Sequence, residues 1–253
     1  MIFVIGLSST VVVPSRTNAQ APERNAAIVE QWVTQSLAGD LSGADTLLAG
    51  HVTLHAVSGT TATTRRAFLD LLGNEIEGEG RLQIGQIEVF GEGDKVCVLY
   101  SAVGRGGPVS SVRFYRVDGE RIVEAWWGPS AEVRWTWDTE LNGDLDAQGN
   151  RHVVARWYEA VYARGDWDLV PDLVGPVFQR HEDREFSMGP EEYRDRLRTM
   201  FQASLRLRYQ VVAGHDKVAV IARLPDGRGF LQAWRVRDGR LVESWWAPRL
   251  AEW

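Results

Sequence analysis

The sequence predicts an α+β protein made of two copies of one domain. Three observations lead there. Residues 117–129, Val-Asp-Gly-Glu-Arg-Ile-Val-Glu-Ala-Trp-Trp-Gly-Pro, recur at residues 236–248 as Val-Arg-Asp-Gly-Arg-Leu-Val-Glu-Ser-Trp-Trp-Ala-Pro. In each half the apolar spacing is first helical and then alternates, and helices followed by an antiparallel meander make an α+β domain. Asp118-Gly119 and Asp238-Gly239 each sit between apolar-rich runs, the strongest short-range signal for a hairpin.

Further matches keep the same order in both halves, as a tandem repeat requires. Gln31-Trp32-Val33 lies over Arg156-Trp157-Tyr158, Ala38-Gly39-Asp40 over Arg164-Gly165-Asp166, and Asp94-Lys95-Val96-Cys97-Val98 over Asp216-Lys217-Val218-Ala219-Val220. The copies are expected at 22–135 and 151–253. The stretch 136–150 between them, with Asp138, Glu140, Asn142, Gly143, Asp144, Asp146 and Gly149, has linker chemistry.

Each copy opens with an amphipathic helix, because Val29, Trp32, Val33 and Ser36, like Val154, Trp157, Tyr158 and Val161, recur at helical spacing. A short helical segment follows near 41–49 and 167–174. A third helix carries Phe68, Leu71, Leu72 and Ile76 in the first copy and Tyr193, Leu197, Met200 and Phe201 in the second, where Pro190-Glu191-Glu192 suits a first turn. The period then becomes two. Leu205, Leu207, Tyr209 and Val211 alternate with Arg206, Arg208 and Gln210, marking a half-buried strand. Three more strands are expected per copy, at 96–103, 109–117 and 121–127, then 218–224, 229–236 and 240–246.

Composition narrows the function classes. The 253 residues are 44% hydrophobic and 25% charged, which is globular composition, and include 11 Trp. Twenty-eight Lys and Arg against 34 Asp and Glu leave a formal charge of −6, which argues against a nucleic-acid groove. Cys97 is the sole cysteine, so no intrachain disulfide and no multi-thiolate zinc site can form; within Val96-Cys97-Val98-Leu99-Tyr100 it reads as a small buried hydrophobe. No nucleophile elbow, phosphate-binding loop or dinucleotide fingerprint occurs, and Gly104-Arg105-Gly106-Gly107 reads as a hairpin loop. Arg194, Arg196, Arg198, Arg206 and Arg208 are interspersed with Glu191, Glu192 and Asp195, the pattern of a solvated face.

Residues 2–13 form an apolar stretch shorter than the roughly 20 residues a bilayer span needs. Ala19-Gln20-Ala21 follows as a small-x-small cleavage pattern, although no basic residue precedes Arg16. The segment 1–21 is therefore expected to be a secretory signal, giving a periplasmic or secreted protein with no membrane association after its removal.

The repeat resembles the SnoaL-like polyketide cyclases of the nuclear transport factor 2-like superfamily. The residues that carry the resemblance are Phe178-Gln179-Arg180-His181, Gly189-Pro190-Glu191-Glu192-Tyr193 and residues 238–246 in the second copy, with Val52-Thr53-Leu54-His55 and residues 118–127 in the first. It implies two cone-shaped domains, each with N-terminal helices packed on a curved antiparallel sheet. It also implies a His and an acid–base Asp on the last strand. Here those places hold Ala125 and Trp127, and Ser244 and Trp246. An indole only donates hydrogen bonds, so the group on which the cyclase mechanism depends is missing from both copies.

By that analogy Trp127 and Trp246 line the cones, and strand alternation turns Trp126 and Trp245 to the outer sheet face. Simple core or interface packing accounts for the same four residues. His181 falls at the family's strand histidine and His55 within one residue of that place. On a cone wall either can act as a general acid or base; satisfied by a backbone carbonyl, either is merely a buried histidine. Asp183 stands two residues beyond His181, on the same face if the strand extends that far. With Tyr209 near the cavity strands, the second copy has the better-equipped pocket. Two ligands do not make a metal site, and no cofactor is implied.

Two functions follow. One is a binding protein, without cyclase activity, whose Trp-lined cones hold a small hydrophobic molecule or whose sheets pack on a partner. The alternative is a cyclase, isomerase or dehydratase acting on a small carbonyl or hydroxyl compound, with His181 and Asp183 as catalytic groups and His55, Trp127, Tyr209 and Trp246 contacting the ligand. In either case the two copies are expected to pack through their sheets as an intrachain pseudo-dimer.

Overall fold

The computed structural model describes residues 21–56, 59–128, 130–132, 134–137, 143–201, 204–246 and 251–252. The expected signal segment, Ala21 apart, lies outside the described residues. Helix α1 (Ala21–Leu37) buries Val29, Trp32, Val33, Ser36 and Leu37, the stripe that its spacing marks. Helix α2 (Leu41–Asp45) is capped by Asp40, whose carboxylate accepts the Gly43 N–H at 3.1 Å. Strands β1 (Leu48–Ala56) and β2 (Gly59–Thr64) form a hairpin, and Thr64 caps α3 (Arg65–Glu79). The meander follows as β3 (Gln83–Glu92), β4 (Lys95–Gly104), β5 (Gly107–Asp118) and β6 (Arg121–Trp127).

The second half repeats this order. Helix α4 (Ala147–Arg156) runs on into a π-helical turn, Trp157–Tyr162, and a short 3₁₀ turn leads to α5 (Val170–Leu173). Strands β7 (Val174–His181) and β8 (Glu185–Met188), helix α6 (Pro190–Met200), then β9 (Arg208–Gly214), β10 (Lys217–Arg223), β11 (Arg228–Arg237) and β12 (Arg240–Trp246) complete it. A last short strand, β13 (Ala251–Glu252), adds to β11. The strand orders are β2-β1-β6-β5-β4-β3 and β8-β7-β12-β11-β10-β9, so the halves share one topology. In each, one pair is parallel, β1 with β6 and β7 with β12.

Several local expectations shift. In the first half the hairpin loop is Gly119-Glu120, both at positive φ, because Asp118 already pairs with Arg121; in the second it is Asp238-Gly239. Leu205 and Leu207 precede β9 rather than lying in it. The segment with linker composition is structured at both ends: Trp137 is buried and α4 begins at Ala147. Strand β2, Gly-Thr-Thr-Ala-Thr-Thr, lacks the apolar alternation that would mark it, and β8, Glu-Phe-Ser-Met, alternates over only four residues.

Among the described residues three clusters form the core. One lies between helices and sheet in each half. The third joins the outer sheet faces, with Phe90, Leu99, Val112, Phe114 and Trp126 meeting Val212, Ile221, Leu231, Ala233 and Trp245. Gly214 permits this closeness, since a Cβ there would come within 3.1 Å of Phe90 Cβ and 3.2 Å of the Gly91 amide. Around this apolar patch, Lys217 pairs with Glu88 and Arg151 with Glu92 across the two halves.

Candidate functional site

Each sheet has two faces, and strand alternation assigns every candidate residue to one of them. On the inner face of the first half, Trp127 packs on Phe68 with ring centroids 5.2 Å apart, and the Arg113 guanidinium lies 4.5 Å from its ring centroid. On the inner face of the second half, Trp246 meets Phe230 at 5.9 Å and Arg180 at 4.4 Å. Each cone thus holds a cation over the second tryptophan, from β5 in one half and from β7 in the other.

The second cone is lined with interlocking rings. Tyr193 stacks on Trp157 at 5.6 Å and on Phe178 at 4.5 Å, and Trp157 meets Trp234 at 5.3 Å. The π-helical turn directs Trp157, Tyr158 and Tyr162 into this core. Burial pushes the phenols of Tyr158, Tyr162 and Tyr193 up, so they remain neutral hydrogen-bonding groups. Arg180 donates from its Nη1 to the Tyr193 hydroxyl oxygen at 3.0 Å and forms an ion pair with Glu182. Burial opposes the charge on Arg180, but Tyr193 and Glu182 outweigh it and raise the guanidinium above its ordinary value. Tyr209 sits at the edge of this cone, 5.0 Å from Tyr158; partial burial and Glu159, at 3.2 Å from its hydroxyl, push it up to about 12.

Neither histidine faces a cone. His55 pairs in register with Trp126 and His181 with Trp245, so both lie on the outer faces. The imidazoles stack on those indoles at 5.0 and 5.4 Å, and each Nε2 is 2.7 Å from a glutamate carboxylate, Glu124 or Glu243. An arginine holds the other carboxylate oxygen in both places, Arg116 on Glu124 and Arg235 on Glu243. The expectation that the two histidines line the cones is therefore corrected, and so is their one-residue offset, since they occupy equivalent positions. The apolar alternation through Val52 and Leu54, and through Phe178, was the signal that turns the histidines outward.

Asp183 is also corrected as a partner. Strand β7 ends at His181, the chain bends, and Asp183 is exposed. The carboxylates that reach His181 are Glu243 and, on Nδ1 at 3.4 Å, Glu185. In the second half the cluster extends to Asp216, which is 2.9 Å from Arg235 and 2.8 Å from Lys217. Burial pushes the Asp216 carboxyl up, but bonds from Lys217 and the Gly143 amide, with Arg235 beside them, outweigh it and hold it below the usual carboxylate range. Among the described residues no group of three or more His, Cys, Asp and Glu is arranged to hold a metal ion.

Residues 29–125 match the family model of the SnoaL-like domain. Among solved structures, the chain is similar to a "putative polyketide cyclase" from Xanthomonas campestris (18% identity, 43% of this chain and 92% of the other, TM-score 0.39). It is likewise similar to a "putative ketosteroid isomerase" from Kribbella flavida (16%, 50% and 93%, TM-score 0.38) and to a nuclear transport factor 2-like protein from Burkholderia xenovorans (18%, 43% and 90%, TM-score 0.36). No curated protein matches the chain. The chain therefore carries a SnoaL-like domain at residues 29–125, followed by a second domain that repeats its sheet strand for strand, a tandem of SnoaL-like folds.

Proposed function

We propose that this is an exported binding protein without cyclase activity, whose Trp-lined cones take a small, largely apolar molecule bearing a hydrogen-bond acceptor. The observation that carries this reading is the exchange of faces: indoles close the last strands toward the cones, while both histidines lie on the opposite faces, each tied to a glutamate. An indole donates a hydrogen bond but does not exchange protons near neutral pH. Trp127 Nε1 and the Tyr115 hydroxyl in the first cone, and Trp246 Nε1 in the second, are buried without a hydrogen-bond partner among the described residues. An unmade buried bond costs about 1–3 kcal/mol, which an acceptor on a bound molecule would offset. The two sheets, back to back in one chain, stand in this reading for a pair of subunits. The alternative, proton transfer through His181 and Asp183, loses its geometric support because those groups do not meet in a cone.

Small aromatic ketones and alcohols, titrated by saturation-transfer NMR, test the reading, with hydrogen–deuterium exchange next to the carbonyl followed in the same samples. The expected result is saturable binding that Trp127→Ala weakens about tenfold or more, and exchange at the buffer rate. Catalysed exchange that a cone substitution abolishes would overturn the non-catalytic reading, and no binding across the series would overturn the ligand reading. For export, intact-mass measurement of secreted or periplasmic protein should show a chain starting at Pro22; full-length chain confined to the cytoplasm removes the claim.

A further inference from the structure

On the outer face of the second sheet a cavity of about 340 Å³ opens where β7 bulges from β12, between the pairs Leu241–Val174 and Glu243–Gln179. Buried Arg235 and Glu243 form its floor, Pro176, Val177 and Val242 give it an apolar side, and the hairpin residues Arg237, Asp238 and Arg240 stand at its rim. We infer that this cavity binds a small organic oxyanion, a carboxylate or phosphate monoester carried on an apolar body.

Charge carries the first half of the argument. Arg237 and Arg240 are directly opposite each other across the hairpin, an arrangement that like charges disfavour. Neither forms an ion pair among the described residues, whereas the floor arginine, Arg235, is held by Asp216 and Glu243. Among the rim residues that line the cavity, Asp238 offsets one of the two positive charges and leaves one. An oxyanion between the guanidiniums relieves their repulsion and accepts from both planar forks. Shape carries the second half. Val177 is 59% exposed, and beside Pro176 and Val242 it offers a dry wall to the body of such an anion. A cavity of this volume is at the small end of ligand pockets, which span roughly 300–1,000 Å³.

The first domain supplies a built-in contrast. At the equivalent register Asp118 is opposite Arg121, so the charges cancel, and His51 stands where Val177 does. The site therefore belongs to the second domain alone.

The test follows the Val177 methyl signals of the full chain by NMR during titration with benzoate, phenyl phosphate, inorganic phosphate and benzyl alcohol. Saturable shifts are expected with the two organic anions, weaker binding with inorganic phosphate and none with benzyl alcohol. Arg237→Asp, which installs the first domain's residue, and Arg240→Gln should each weaken binding about tenfold while the thermal midpoint stays near wild type. Absence of saturation, binding of benzyl alcohol as tight as that of benzoate, or tight binding by both variants would overturn the site. Inorganic phosphate binding more tightly than phenyl phosphate would overturn the apolar-body requirement.

Discussion

The two domains keep one sheet and one outer-face cluster, yet they cover that cluster to different depths. His181, Glu243, Arg235 and Trp245 are 2%, 3%, 1% and 0% exposed. The side chains of His55, Glu124 and Arg116 are 16%, 19% and 35% exposed. The difference comes from the chain between the domains: Trp135 lies 6.4 Å from His181, and its indole N–H donates to the Glu182 carbonyl at 2.7 Å. The same residue types at the same register thus form a buried ion network in one place and a partly solvated one in the other, with different energetic weight.

Inside the cones the contrast is one of exchange. Ile87 is opposite Tyr100 in the first sheet, and Tyr209 is opposite Ala222 at the matching place in the second. The aromatic ring has changed strands while the pair still joins one large residue to one smaller one. The arginine over the second tryptophan behaves likewise, on β5 in one domain and β7 in the other, with Gln232 and Leu54 at the counterpart positions. What the fold holds constant is a cation-capped indole rather than a residue at a fixed site.

The largest test of this comparison is truncation of the outer tryptophans. Trp245→Ala should cost about 3–5 kcal/mol of stability, since it empties the fully buried centre of the shared core. Trp126→Ala, at a residue 9% exposed, should cost less in the same urea titration; equal losses would mean that cover does not distinguish the domains. Next come the glutamates. Glu243→Ala strands buried charge and should destabilise by about 3 kcal/mol, against about 1 kcal/mol or less for Glu124→Ala. The smallest effect is on acid stability. Because the folded state holds the Asp216 carboxyl below its unfolded value of 3.8, its contribution is present above that pH and is lost as pH falls through the folded value. Asp216→Asn should therefore flatten the loss of stability on acidification below about pH 4. Asp94→Asn, at the equivalent exposed position, should leave that limb as in wild type.

Much of the architecture was legible in the residues. Twenty-four positions matched in the same order revealed the tandem, and the spacing of Val29, Trp32 and Val33 marked the buried stripe of α1. Alternation set the two tryptophans of each pair on opposite faces and family analogy turned Trp127 and Trp246 inward, as the core clusters have them. The candidate site was less legible. Family analogy put the histidines in the cones, although the parity of Leu54 against His55 already turned them out. Arg113 and Arg180 went unmarked, because a charged residue on an apolar strand face shows its purpose only beside the ring it covers.

What the sequence by itself determined is therefore the local order: two repeats, helices before strands, and the face of each strand residue, all consequences of periodicities of 3.6 and 2 within short windows. Only the tertiary structure decided which residues share a cluster. His55 and Glu124 are 69 residues apart and meet because β1 closes in parallel against β6, a pairing fixed by the closure of the sheet and not by either strand. It also decided depth, since the chain beyond β6 crosses the second domain's cluster, and cover by a remote segment is what converts a surface ion pair into a buried one.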